Sequence, residues 1–220
     1  MGTISRTKLA GLSLILGPTI TVICYFIQQL VIFGDIPNAE WNNASSFAVA
    51  AANESSLMVA TSLLVSLGLM MLAYGILSIA GGIKGNGNGD ALASYAQPLI
   101  LVGTAGFILG LGVSATAAMN PDPAAAAEAA FLVGSGINNI AGIIFSLGFA
   151  AVFLAMGSRD EYNKVVANLA GLIAVIAFVL SVIGLANTDS SALMTQLVGV
   201  TYIVHTAYAI YLGWGLWSKK

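Results

Sequence analysis

Charge is what this chain has least of. Of its 220 residues 7% are Asp, Glu, Lys or Arg and 58% are hydrophobic, with a mean hydropathy of +0.93. Soluble domains carry about 25% charged residues, so a water-soluble globule is excluded. A disordered chain is excluded too, because it needs low hydrophobicity and high charge. Cysteine is nearly absent: Cys24 stands alone, which rules out an intrachain disulfide and a cysteine-built zinc site. Histidine is just as scarce. His205 is the only one, so haem held between two histidines is impossible and only a His/Met pair stays open. A net charge of −2 and a pI near 5.1 provide no basic footprint for nucleic acid. Neither a metal-ligand set nor a cofactor is expected.

Long apolar runs are what the chain does have. They cover Leu9–Phe33, Ser56–Ile83, Ala91–Ala118, Ala129–Met156, Val165–Ala186 and Leu193–Trp217. Each reaches the roughly 20 residues that a helix needs to cross a bilayer, and the connections between them are too short for a soluble domain of about 50 residues. The first run, 25 residues long, exceeds the roughly 7–15 of a signal-peptide core and reads as a retained span. None of the runs contains Lys or Arg. With six spans, Arg6, Lys8, Lys84, Arg159, Lys164, Lys219 and Lys220 all fall on one side, which the positive-inside rule makes cytoplasmic. The other side carries Asp35, Glu40, Glu54, Asp122, Glu128 and Asp189 and no base. An acidic face of this kind can concentrate cations at a pore mouth or simply be a solvated surface. The absence of any membrane lysine excludes a retinal Schiff base, and the paired Asn-Pro-Ala boxes of water channels are missing.

Local signals set expectations for the connections. Gly157 suits a left-handed helix end, and Ser158 with Glu161 reads as a capping box for span 5. Asp122 suits an N-cap with Pro123 at the first helical position. The stretch Lys84 to Asp90, with glycines at 85, 87 and 89, reads as a flexible linker, and Ala44–Ala52 as a short surface helix. Gly17-Pro18 predicts a kink in span 1. Asn43 and Asn53 head glycosylation sequons.

Inside a bilayer, small residues mark contact faces. Span 3 has Gly103, Gly106 and Gly110, and span 5 has Ala174, Ala177 and Ser181, each at helical spacing. These are the expected packing residues, toward this chain or toward other membrane subunits or a second copy. Polar side chains in hydrocarbon are costly and ask for partners. Gln28 on span 1, Ser135, Asn138 and Asn139 on span 4, and Tyr202 and His205 on span 6 are the candidates. Measured from the run ends at 1.5 Å per residue, Asn138 and His205 sit about 15 and 18 Å deep. That predicts a polar centre joining spans 1, 4 and 6. No Asp, Glu, Lys or Arg lies at any span centre, which counts against a proton-coupled pump.

The serine context Val133-Gly134-Ser135-Gly136 and the span-6 histidine give the chain a likeness. Rhomboid intramembrane proteases resemble it in having six core spans, both termini inside, a long first outer loop, a serine early in span 4 and a histidine in span 6. The resemblance implies Ser135 as nucleophile and His205 as its base. The sequence departs from the family's Gly-x-Ser-Gly at Val133, and from its Ala-His-x-x-Gly at Val204 and Tyr208.

The expectation is therefore an all-α, polytopic membrane protein, a six-helix bundle forming a single transmembrane domain over residues 1–220, with cytoplasmic termini. The leading functional expectation is a non-enzymatic structural or accessory membrane subunit that works through its small-residue faces. The competing one is a small-solute or ion permease with a polar pathway through spans 1, 4 and 6.

Overall fold

A computed structural model describes residues 4–37, 40–41, 43–85, 87–187 and 190–218, the side chain of Ala192 apart. The expectations placed on Asp189, Lys219 and Lys220 lie outside them. The described residues form α1 (Arg6–Ile27), α2 (Ala44–Asn53), α3 (Ser55–Ile83), α4 (Asp90–Met119), α5 (Ala124–Gly157), α6 (Lys164–Ala186) and α7 (Ser191–Trp217), with no strand among them. A π-helical turn over Gln28–Ile32 prolongs α1. All these helices except α2, six in number, are long and apolar enough to cross a membrane.

The six long helices form a ring. Each packs on its neighbour in sequence, and α7 closes the ring against α1. Glycine permits the closest approaches. A Cβ on Gly17 would lie 2.6 Å from the Gly68 carbonyl oxygen of α3, and one on Gly11 would lie 2.7 Å from the Gly213 carbonyl oxygen of α7. Pro18 is fully buried at the α1–α3 crossing. The start of α1 and the end of α7 therefore meet at one end of the bundle, here the termini end. At the opposite, far end, α2 packs on α3, α4 and α5. It is a cap more than a surface helix. Ala48 and Ala51 are buried, and Phe47 lies 5.1 Å from Phe33 and stacks on Phe131.

Several connections differ from the sequence expectations. Among the described residues only Gly85, Gly87 and Gly89 have positive φ, so Gly157 does not end α5 in a left-handed turn. Its lack of a side chain serves packing instead, because a Cβ there would collide with the Asn168 amide of α6. The Ser158–Glu161 capping box does not form. Ser158 Oγ donates to the Ala155 carbonyl, Glu161 is taken by Arg159 at 2.5 and 2.8 Å, and Asn163 caps α6 by accepting from Val166 N at 3.2 Å. The N-cap of α5 is Pro123, one residue later than expected. In the stretch read as a linker, Asn86 lies outside the described residues, and Asp90 Oδ1 accepts from Gly85 N at 2.5 Å.

Candidate functional site

The expected packing residues are taken up within the chain. On α4, a Cβ at Gly103 would meet Phe145 Cβ at 2.8 Å, one at Gly106 would meet Ala141 Cβ at 2.7 Å, and one at Gly110 would collide with the Asn138 side chain of α5. On α6, Ala174 and Ala177 are fully buried, and half-buried Ser181 donates to the Ala177 carbonyl.

The polar candidates do not converge on one centre. Gln28 is buried and donates to Thr61 Oγ1 of α3 at 2.9 Å. That ties α1 to its ring neighbour rather than to α5 or α7. Asn138 lies at the α4–α5 contact, half-buried, with Oδ1 unpartnered. Ser135 is half-buried and Asn139 exposed. His205 lies much nearer the termini end. Its ring is 5.6 Å from Phe149 and 5.7 Å from Phe153, about 16–22 Å along α5 from Asn138. The depth estimate failed because the ends of the apolar runs do not share a plane. The same placement removes the serine–histidine pair implied by the rhomboid likeness: Ser135 lies about 21 Å or more along α5 from the residues that flank His205, and a nucleophile and its base need about 3 Å.

A different arrangement joins α5 and α7. On α5, Asn139, Gly142, Ser146, Phe149 and Phe153 recur at three- and four-residue intervals and so share one face. On α7, Tyr202, His205 and Tyr208 are three apart. The faces meet: Tyr202 Oη lies 3.7 Å from where a Gly142 Cβ would be, His205 lies against Phe149 and Phe153, and Phe153 packs edge-on to Tyr208 at 5.2 Å. This file runs from exposed Asn139 inward for about 21 Å of helix. Phe107 of α4 meets Phe145 edge-on at 5.6 Å beside it. The phenylalanine row at 145, 149 and 153 has the four-residue spacing of a helix face and is legible in the sequence, but only as core.

Hydrogen bonding along the file is incomplete. Ser146 Oγ, His205 Nε2 and Tyr208 Oη are buried without a partner. The His205 imidazole also faces the Ala170 backbone of α6; in a neutral ring one nitrogen donates and the other accepts. Two further orphans, Ser62 Oγ on α3 and Thr104 Oγ1 on α4, belong to other helices of the ring.

At the far end, Asp35 and Glu40 line an open groove with Ser45, Ser46 and Asn53 of α2, and Glu40 accepts from Ser46 Oγ at 2.6 Å. At the termini end, burial pushes the Tyr162 phenol above its ordinary range. No family model matches this chain, and no curated protein or solved structure matches it.

Proposed function

We propose that this chain is a multi-pass integral membrane protein, with both termini cytoplasmic, that passes a small uncharged polar solute along the α5–α7 file. One observation carries the reading. Ser146 Oγ, His205 Nε2 and Tyr208 Oη are buried, unpartnered and spread along one seam. Leaving a buried polar group unsatisfied costs about 1–3 kcal/mol, and three on one seam are better explained by a visiting polar molecule than by packing. The seam contains no Asp, Glu, Lys or Arg, and an ion without a counter-charge in hydrocarbon is heavily penalised. An uncharged solute is favoured for that reason.

The accessory-subunit reading keeps one observation in its favour. Asn139 is exposed on a helix long enough to span, and a Cβ added at Gly136, one turn away, would have nothing within 4 Å. A second membrane helix could cover both. The small-residue stripes on α4 and α6, which first suggested such partners, lie against this chain's own helices.

Osmotic-shift light scattering on vesicles containing the purified protein tests the choice. Faster entry of glycerol or urea than in protein-free vesicles, without added potassium or chloride leakage, supports passage. Entry equal to that of protein-free vesicles removes the passage reading and leaves the accessory role.

A further inference from the structure

The file contains two neighbouring buried groups without partners, an imidazole nitrogen and a phenol hydroxyl. His205 Nε2 accepts when the imidazole proton sits on Nδ1, the nitrogen left for the Ala170 backbone. Tyr208 carries a hydroxyl with no partner and is free to donate. The two residues are three apart on α7, which places them on neighbouring turns of one face. Both are more than nine-tenths buried, at 7% and 5% exposure. Aromatic rings wall the pair: Phe149 and Phe153 beside the imidazole, Phe153 edge-on to Tyr208, and Tyr211 stacked on Tyr208 at 6.1 Å.

We infer that His205 Nε2 and Tyr208 Oη form the selective binding point of the file, for a small neutral solute that offers both a hydrogen-bond donor and an acceptor, of the urea, small-amide or polyol class. The inference rests on the passage reading and deepens it. A solute with donor and acceptor can partner either atom. An apolar solute of the same size leaves both unpaired, and a site built from hydrogen-bonding groups rejects such a molecule strongly. The aromatic surroundings offer an ion no opposite charge.

Tyr208→Phe keeps the ring and removes only the hydroxyl, so it is the primary test variant. His205→Leu removes the acceptor. In vesicles, with urea and glycerol as probes, each is expected to slow wild-type entry about tenfold, the effect of losing one well-made hydrogen bond, while the protein elutes as wild type on size exclusion. If His205→Leu does not fold, Tyr208→Phe decides alone. Tyr208→Phe vesicles as fast as wild type overturn the binding point and leave passage standing. Wild-type vesicles no faster than protein-free ones overturn the passage reading and this inference with it.

Discussion

Gly89 meets two independent demands, and they can be separated by comparison with Gly87. Both have φ of +84°, a conformation that costs an L-residue about 1–2 kcal/mol. A Cβ at Gly87 has nothing within 4 Å, whereas one at Gly89 would meet the Ala155 carbonyl oxygen at 2.7 Å and Ser158 Oγ at 2.8 Å. Gly87→Ala therefore carries the backbone cost alone. Gly89→Ala adds a clash between the start of α4 and the end of α5, and should lower the melting temperature in detergent further. Equal losses in the two variants would mean that the α5 contact is not felt. The spacing of these glycines is plain in the sequence, but their roles are not. Alternating glycines read as a loose linker, whereas Gly85 N is bonded to Asp90 and Gly89 fits beneath Ser158.

Among elements, the α4–α5 pair has the most extensive contact in the ring, and its glycines divide into those that need their missing side chain and those that do not. A Cβ on Gly103 would lie 2.8–2.9 Å from Phe145 Cβ, Cα and N, and Gly112 faces open space. The Phe145 backbone belongs to a helix and cannot rotate away. Gly103→Ala should therefore wedge the pair apart and destabilise by about 1–3 kcal/mol, the usual cost of overpacking. Gly112→Ala should be neutral or slightly favourable through helix propensity. Thermal unfolding of both variants in one detergent makes the comparison. If Gly103→Ala melts with Gly112→Ala, the close approach of α4 and α5 is wrong. The helices themselves were largely legible, because run length and the absence of charge fix a span without tertiary information: Ser56–Ile83 and α3 differ by one residue at one end. Helix ends were less legible. Ser158 and Asn163 are both competent caps, and the choice between them depends on Arg159 engaging Glu161. Least legible was the polar arrangement. Which turn of α5 faces His205 depends on how far each helix extends past its neighbour, which the ends of the apolar runs do not give.

At the scale of the whole molecule, closing α7 onto α1 brings the start of α1 and the end of α7 to one end, where Gly11 and Gly213 nest. Charge predicts which side of the membrane that end faces. Arg6, Lys8, Lys84, Arg159 and Lys164 all lie at or just beyond the termini-end tips of their helices, and basic loops stay cytoplasmic. On the proposed orientation Asn139, toward the far end, would open to the outside. The chain is well suited to a thiol test. Cys24 is its only cysteine and is buried at 4% exposure, so the wild type should be almost unreactive and needs no background substitution. Asn53 at the far end and Ser218 at the termini end are both exposed. In intact cells, a membrane-impermeant maleimide should label the Asn53→Cys variant directly and the Ser218→Cys variant only after permeabilisation. The reverse pattern would invert the bundle and open the file at Asn139 to the cytoplasm. Labelling of both variants in intact cells would contradict a ring of six spans with its two termini on the inner side.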